Sequence, residues 1–156
     1  MAQEIERKFL VSNDNWRKLA KPSLLRQAYL SAEDGRVVRI RVEDKSAWLT
    51  IKSKTTGISR GEWEYPIPLE EANQLLSEVC LQPVLEKHRY RIPLDGLIWE
   101  VDEFLGVNAP LVVAEVELNS ELQTFTKPDW LGDEVSYDRR YANAALISHP
   151  YSAWEK

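Results

Sequence analysis

Residues 86–104 read EKHRYRIPLDGLIWEVDEF, and this stretch decides the fold because charged and apolar residues alternate through it. Side chains at positions i and i+2 of a β-strand point to the same face of the sheet. Lys87 and Arg89 therefore share one face of a first strand, and Glu100 and Asp102 share one face of a second. The PLDG sequence between them predicts a turn, so the two strands should form an antiparallel hairpin.

The same spacing of like charges recurs along the chain. The pairs are Glu4/Glu6, Arg39/Arg41, Lys52/Lys54, Glu62/Glu64, Lys87/Arg89, Glu100/Asp102 and Glu115/Glu117. Two arrangements fit: a sheet with a charged outer face and a dry core behind it, or a barrel whose interior holds the charges. The barrel is favoured because each pair has a single sign, whereas a surface selected for solubility mixes signs. The opposite strand faces carry Trp63, Tyr65, Tyr90 and Trp99, which we expect the two longer helices to cover.

Eight strands and four helical segments are predicted from periodicity and turn signals. The strands lie near residues 3–11, 26–31, 36–43, 47–54, 60–67, 86–93, 97–104 and 111–118, and the helical segments near 12–20, 69–80, 120–125 and 138–148. Eight antiparallel strands can close into a barrel, which removes exposed strand edges. We therefore expect an α+β fold in one domain over residues 1–156: an eight-stranded antiparallel β-barrel with flanking helices and a C-terminal helix.

The composition describes an ordinary globular protein and excludes several classes. The 156 residues are 44% hydrophobic and 29% charged, and no apolar run approaches the roughly 20 residues that a membrane helix needs. The net charge of −5 argues against a general nucleic-acid binder. The start of the chain lacks the layout of a signal peptide, and the single cysteine, Cys80, fits a reducing cytoplasm. We expect a cytoplasmic monomer or homodimer that binds neither nucleic acid nor membranes.

A barrel interior with this many charges must be wet, because desolvation costs several kcal/mol for each buried ion. A water-filled tunnel can instead hold a highly charged ligand. Arginine and lysine suit phosphate oxygens, and carboxylates suit hard cations such as Mg²⁺ or Mn²⁺. No glycine-rich GxxxxGKS/T phosphate loop is present in the sequence. The residue types therefore predict a side-chain site for a metal–polyphosphate complex.

The order of the charged motifs resembles that of a known family. The motifs are EIERK at 4–8, RIR at 39–41, TIKSK at 50–54, EWE at 62–64, KHRYRI at 87–92, WEVDEF at 99–104 and AEVEL at 114–118, followed by a tail at 134–143. Over residues 2–148 the chain resembles the CYTH superfamily, the triphosphate tunnel metalloenzymes, and its length is similar to that of small stand-alone bacterial members. The resemblance implies a tunnel open at both ends that binds a triphosphate lengthwise with Mg²⁺ or Mn²⁺. The final helix resembles the element that plugs one mouth in some members.

Residue roles follow from the same resemblance. The metal would be held by Glu4, Glu6, Glu115 and Glu117, and the candidates for a second metal are Glu62, Glu64 and Asp102. The triphosphate would be bound by Lys8, Arg39, Arg41, Lys52, Lys54, Lys87 and Arg89. The catalytic group would comprise Glu4, Glu6, Lys8 and Tyr29. Tyr29 would orient a water or a phosphate, unless it is only a core tyrosine, and metal-activated water is the simplest nucleophile.

The expected function is metal-dependent hydrolysis of inorganic tripolyphosphate to pyrophosphate and phosphate. The short chain leaves little material for recognising a base, and we expect no aromatic clamp facing inward. The alternatives are a class IV-type adenylyl cyclase and a thiamine or nucleoside triphosphatase. A non-catalytic polyphosphate or nucleotide sensor is an alternative of another kind, although an anion sensor has no use for carboxylates lining its pocket.

Overall fold

The β-strands close on themselves into a barrel. A computed structural model describes residues 2–155, in which the barrel strands are β1 (Gln3–Val11), β2 (Ser23–Ser31), β3 (Val37–Glu43), β4 (Ser46–Lys52), β5 (Ser59–Pro66), β6 (Leu85–Leu94), β7 (Leu97–Phe104) and β8 (Val112–Glu117). Hydrogen-bonded neighbours follow the order β5-β4-β3-β2-β6-β7-β8-β1, and a pairing of β5 with β1 closes the ring. The predicted eight-stranded antiparallel barrel is confirmed. The largest difference is in β2, which begins three residues before the predicted start.

The hairpin of β6 and β7 shows how the sequence sets the strand register. Asp95 and Gly96 form the two-residue turn with φ angles of 47° and 80°. Positive φ at both positions matches the right-handed twist of the flanking strands, and aspartate followed by glycine adopts it readily. The resulting register places Arg89 directly opposite Asp102 on the inner face of the barrel.

A ninth strand, β9 (Leu131–Glu134), was not predicted. It lies beside the second half of β1, where Phe9 pairs with it, while β5 pairs with Gln3–Ile5 of the same strand. Close approach of the two backbones requires Gly132, because a Cβ at this position would lie 3.0 Å from the carbonyl oxygen of Leu10. The two strands β5 and β9 therefore share one edge of β1.

The apolar core lies on the outer face of the barrel, because the inner face carries the charges. On one side it is built around Tyr90 and Trp99, both buried on the strands. Trp16 packs edge-on against Tyr90 with ring centroids 4.9 Å apart, and Trp130 packs in the same way against Trp99 at 5.7 Å. Loop residues thus cover this side of the barrel.

The helix α1 (Leu69–Glu78) covers a second apolar surface, over β3 and β4. Its buried residues Ala72 and Leu76 pack with Ile40 and Val42. Its first turn contains two glutamates, whose charge favours the positive end of the helix dipole. The predicted helix at 69–80 is therefore confirmed, and it ends two residues early.

The other helical predictions were wrong in extent. Segment 12–20 contains only a 3-10 helix at Asn15–Lys18, and segment 138–148 divides into a 3-10 helix at Arg139–Tyr141 and the helix α2 (Asn143–Ser148). Segment 120–125 forms no helix and has one turn, in which the N–H of Gln123 donates to Ser120 O. Further 3-10 helices lie at Glu33–Gly35, Gly106–Asn108 and Tyr151–Ala153.

Packing of Phe125 accounts for the missing helix at 120–125. Its ring lies edge-on to Phe9 and Trp99, at centroid distances of 6.1 and 5.6 Å. Phe125 is thereby packed against the outer apolar cluster, and tertiary contacts of this kind override the local helix propensity.

The prediction that the longer helices cover the outward aromatic residues was also wrong. Tyr90 and Trp99 are buried beneath loop residues, whereas Trp63 and Tyr65 remain 42% and 52% exposed. The reason is that α1 packs over β3 and β4 and does not reach the outer face of β5. No helix in residues 2–155 has the length and apolar character needed to span a membrane.

Trp99→Ala should lower the free energy of unfolding by about 3–5 kcal/mol, because it removes a fully buried indole and leaves a cavity. Urea unfolding followed by circular dichroism measures this loss. Trp63→Ala truncates the same residue type at an exposed position and should cost less than about 1 kcal/mol. Equal losses in the two variants would contradict the placement of the core around Trp99.

Candidate active site

The charged pairs lie inside the barrel, around a cavity of about 820 Å³. The predicted site residues that line it are Glu4, Glu6, Lys8, Tyr29, Arg39, Arg41, Lys52, Glu62, Glu64, Lys87, Arg89, Glu115 and Glu117. Two others are placed elsewhere. Lys54 follows the end of β4, is 62% exposed and lies 3.7 Å from Asp34. Asp102 lies on the inner face but is fully buried, so it does not line the cavity. The structure thus resolves the choice left open by the sequence in favour of a charged interior.

One end of the barrel is apolar and plugged beneath β6, β7 and β8. Leu85, Phe104 and Val113 lie at the ends of their strands, on the same faces as Lys87, Asp102 and Glu115 respectively, and they are buried. Tyr141 and Leu146 from the C-terminal segment pack into this cluster. The helix α2 therefore acts as the plug that the resemblance allowed.

The opposite end is the mouth of the cavity. Its rim is formed where the strands end or begin, by Glu43, Trp48, Arg91, Glu100 and Glu117. Arg91 donates two hydrogen bonds to Glu43, at 2.5 and 2.8 Å, and its side chain is 43% exposed. A charged ligand can therefore enter past a polar, solvated rim.

The basic wall of the cavity is formed by Arg39, Arg41, Lys87 and Arg89. Asp102 holds the last two of these cations in place. Arg89 donates Nε and Nη2 to the two Asp102 oxygens at 2.8 and 2.9 Å, and the Lys87 Nζ lies 2.7 Å from Oδ2. Although burial alone would raise it, Arg89 and Lys87 hold the pKa of Asp102 far below its usual range. Burial lowers the pKa of Lys87 to about 7 against the pull of Asp102, with Arg89 and Arg41 adding to the decrease. Asn143 of α2 accepts a further hydrogen bond from Lys87 at 2.6 Å.

Two arginines of β3 carry charge that no carboxylate fully balances. Arg41 donates its Nε to the neutral Gln27 Oε1 at 2.9 Å. Burial, followed by the nearby Arg39 and Arg89, lowers the pKa of Arg41 to about 9. Arg39 donates Nη2 to Thr50 at 3.2 Å, but its buried Nε has no hydrogen-bond acceptor among residues 2–155. This part of the wall therefore favours an anionic ligand that accepts hydrogen bonds.

The acidic wall of the cavity is formed by Glu4, Glu6, Glu62, Glu64, Glu115 and Glu117. Several of these carboxylates repel one another. Lys52 lies 2.8 Å from Glu4 and 3.4 Å from Glu62. Despite its burial, the charge of Lys52 lowers the pKa of Glu4 to about 2, whereas burial and then the charge of Glu4 raise the pKa of Glu62 to about 7. Burial and then Glu115 and Glu4 raise the pKa of Glu6 well above its usual value. A bound cation would relieve this repulsion.

The acidic wall fits a divalent cation by the chemistry of its donors. Carboxylate oxygens are the preferred ligands of Mg²⁺, and Glu6 lies directly opposite Glu117 on the neighbouring strand. Within the described chain, no three acidic, histidine or cysteine side chains converge into a ready-made cluster. The donor set therefore suits a cation that uses one or two carboxylates and takes its other oxygens from water or phosphate, as Mg²⁺ commonly does.

Lys8 and Tyr29 face the same cavity from β1 and β2. Burial opposes the charge of Lys8, but Glu115, Glu6 and Glu4 together raise the pKa of its amine. The Tyr29 hydroxyl accepts a hydrogen bond from Gln27 Nε2 at 3.1 Å, and Tyr29 is buried. The hydroxyl proton therefore remains available for donation into the cavity.

Sequence reasoning missed the neutral residues of the site. Gln27, Thr50 and Asn143 hydrogen-bond to Arg41, Arg39 and Lys87 respectively. The expectation that no aromatic clamp faces inward also needs correction, because Trp48 lines the cavity at the mouth. Strand parity could have found three of these four residues, since Gln27 precedes Tyr29 by two positions, and Trp48 and Thr50 precede Lys52 by four and two. No sequence signal marked Asn143.

Asp102→Asn should lower the free energy of unfolding by about 3–5 kcal/mol, because it leaves the charges of Lys87 and Arg89 buried without their partner. Chemical denaturation measures the change. Asp138→Asn provides the matched control, since its ion pair with Arg140 is exposed and solvent screens it, so the loss should be much smaller. A loss at Asp102 no larger than the loss at Asp138 would contradict the buried arrangement.

Stability in the absence of metal should fall as pH rises from about 5 to about 7. The pKa values of Glu6, Glu62 and Glu117 are raised in the fold, so the native state binds more protons than the unfolded chain in this range. Thermal unfolding in a chelator at several pH values measures the slope. Glu62→Gln should flatten the slope, whereas Glu71→Gln on the exposed face of α1 should keep it. Identical slopes in both variants would contradict the assignment.

Comparison with known proteins agrees with this geometry. The family model of the CYTH domain matches residues 2–145. An inorganic triphosphatase of Acetivibrio thermocellus is 49% identical over 156 residues, which is 100% of both chains. An inorganic triphosphatase of Nitrosomonas europaea is 41% identical over 149 residues, covering 92% of this chain and 95% of the relative.

The crystal structure of an inorganic triphosphatase superposes with a TM-score of 0.67 at 36% identity, covering 94% of this chain and 95% of that one. The match to the family model and the two close relatives show that the chain belongs to the CYTH domain family.

Proposed function

We propose that this protein is a metal-dependent phosphoanhydride hydrolase that converts inorganic tripolyphosphate to pyrophosphate and phosphate. The observation that carries the proposal is one cavity with a basic wall facing an acidic wall, in which the buried Nε of Arg39 has no acceptor within residues 2–155. A polyphosphate supplies acceptors to the basic wall. The relatives named inorganic triphosphatases, at 49% and 41% identity, support the same substrate.

The basic wall binds the triphosphate and stabilises the charge that develops on the leaving pyrophosphate. Arg39, Arg41 and Arg89 offer planar guanidinium groups that suit phosphate oxygens, and Lys87 acts as a point charge. Lys52 would add a second point charge from its place beside Glu4 and Glu62. Lys54 lies outside the cavity and contributes at most long-range attraction. The triphosphate would also raise the depressed pKa of Lys87 and keep this lysine charged.

Asp102 serves as a positioning residue on this wall. Both of its oxygens are engaged by Arg89 and Lys87, so it fixes the two cations at their positions. A carboxylate engaged in this way is less suited to a metal than the other acidic residues proposed for the second site, Glu62 and Glu64, which line the cavity.

The candidates for holding Mg²⁺ or Mn²⁺ on the acidic wall are Glu4, Glu6, Glu115 and Glu117, one or two of which would bind the cation at a time. The chemistry supplied by a bound divalent cation is neutralisation of phosphate charge and a lowered pKa of water. Lys8 and Tyr29, which line the same cavity, would donate hydrogen bonds to a phosphate oxygen or orient the attacking water. These carboxylates favour an enzyme over an anion sensor, which needs only the basic wall.

The proposal extends to the cellular location and the oligomeric state of the protein. We assign it to the cytoplasm, acting on a small molecule as a monomer or homodimer. The free thiol of Cys80 is buried and fits a reducing compartment.

Purified protein with Mg²⁺ or Mn²⁺ should release pyrophosphate and phosphate in equal amounts from tripolyphosphate, measured by ion chromatography. A panel of ATP, GTP and thiamine triphosphate tests the other hydrolase activities, and cyclic AMP formed from ATP would identify a cyclase instead. Folded protein without turnover of any of these substrates would overturn the proposal and leave the sensor.

Glu6→Gln should lower kcat by on the order of 100-fold or more while calorimetry still detects tripolyphosphate binding, because the variant loses a proposed metal ligand and keeps the basic wall. The isosteric control Glu71→Gln changes an exposed residue of α1 and should retain full activity. Equal activity of the two variants would contradict the role of the acidic wall.

A further inference from the structure

We propose that Trp48 forms a stacking subsite for the base of a nucleoside triphosphate at the mouth of the barrel. The inference rests on the proposed function, because it assumes that the cavity binds a triphosphate. It names a residue of that site that would determine how nucleoside triphosphates bind relative to inorganic tripolyphosphate.

The position of Trp48 separates it from the apolar core. Trp48 shares the inner face of β4 with Thr50 and Lys52, lines the cavity and is half-buried. It belongs to none of the three apolar clusters that cover the outer face of the barrel. Within residues 2–155, no other aromatic ring stacks on it. Its cross-strand neighbours are Arg41 and Pro66, so the indole lies at the edge of the cavity and outside the apolar clusters.

The cross-strand neighbour of Trp48 connects it to the phosphate-binding wall. Trp48 lies directly opposite Arg41 on β3, and directly opposite residues on adjacent strands have Cβ atoms about 5 Å apart. Arg41 has no carboxylate partner within the described chain, so it is free to bind a phosphate. A group attached to that phosphate would lie beside the indole.

The rim gives a substituted triphosphate room for its base. The apolar cluster of Leu85, Phe104 and Leu146 fills the opposite end beneath β6, β7 and β8, whereas the cavity still reaches Glu33 and Gly57 beside it. A ribose and base attached to a phosphate that Arg41 binds would project toward the mouth. Trp48 is the aromatic residue on that rim.

Stacking of a base on an aromatic side chain is sequence-tolerant and strengthens binding by about fivefold to 150-fold. Stacking should therefore strengthen the binding of both ATP and GTP, whereas inorganic tripolyphosphate has no ring to stack. Trp48 is thus expected to determine how well nucleotides compete for the site without being needed for the phosphate chemistry.

The test compares Trp48→Ala, Trp48→Phe and Trp63→Ala in steady-state hydrolysis of tripolyphosphate, ATP, GTP and methyl triphosphate, which is substituted but has no base. Trp48→Ala should raise KM for ATP and GTP at least about tenfold more than for tripolyphosphate or methyl triphosphate. Trp48→Phe should recover most of the loss. Trp63→Ala, which removes an exposed indole from the outer face of the neighbouring strand, should match wild type.

Equal effects of Trp48→Ala on all four substrates, or no effect on any, would overturn the inference, and thermal unfolding checks that each variant is folded. Calorimetric binding of ATP and tripolyphosphate to the same variants tests the subsite independently of turnover. A wild type that binds ATP through Trp48 but hydrolyses no triphosphate would overturn the proposed function alone. A wild type that hydrolyses tripolyphosphate with nucleotide binding insensitive to Trp48 would overturn the inference alone.

Discussion

The structure depends on enclosing two oppositely charged walls within one water-filled barrel. Buried charges are tolerated only when they are paired and hydrogen-bonded. Asp102 meets this condition for Lys87 and Arg89, and Lys52 meets it for Glu4. The charges that remain unbalanced, such as those of Arg39 and Glu6, line the cavity. A bound anion and a bound cation would balance them.

This enclosure reverses the usual layering of a β-barrel. With charges inside, the apolar faces of the strands point outward and need separate cover. On one side the cover comes from Trp16 and Trp130, which lie outside the barrel strands and pack onto Tyr90 and Trp99. On the other side α1 provides it. Much of the chain between the strands therefore serves to bury the outer surface of the barrel, which explains why so few segments form long helices.

The strands and their inner faces could be predicted because the contrast between the two faces is strong. Every barrel strand except β2 carries a pair of like charges, although the pair on β4 extends past the end of the strand. Alternation along each strand fixes the face of the sheet to which both charges of a pair point. The short strand β9 could not be found in this way. Its four residues show no alternation, and its place depends on tertiary contacts: the bidentate ion pair of Arg7 with Glu134 and the close approach at Gly132.

The charged residues of the candidate site could be predicted from the sequence, but which of them pair with one another could not. Asp102 and Glu6 are both inward carboxylates, yet one is fully engaged by cations and the other is destabilised by neighbouring carboxylates. The repulsion at Glu6 comes largely from Glu115, on a strand far away in the sequence, and alternation within one strand does not encode that distance. Neutral partners such as Gln27 and Asn143 were obscure for a related reason, since an amide carries no sign that would mark it as part of a charged wall.

The boundary between the wet and dry parts of the barrel lies at Lys87. Its amine contacts Asp102 and Asn143, while its charge lies 5.5 Å from the centre of the Phe104 ring in the apolar plug. Asn143 comes from α2, the same helix that fills the plugged end. The helix that plugs the barrel therefore also positions the Lys87 amine. Because the plug makes the two ends of the barrel unlike, the basic wall runs from a polar rim to an apolar cluster. A barrel open alike at both ends would offer no such polarity, and the C-terminal helix is therefore as much a part of the site as the strands that carry its charges.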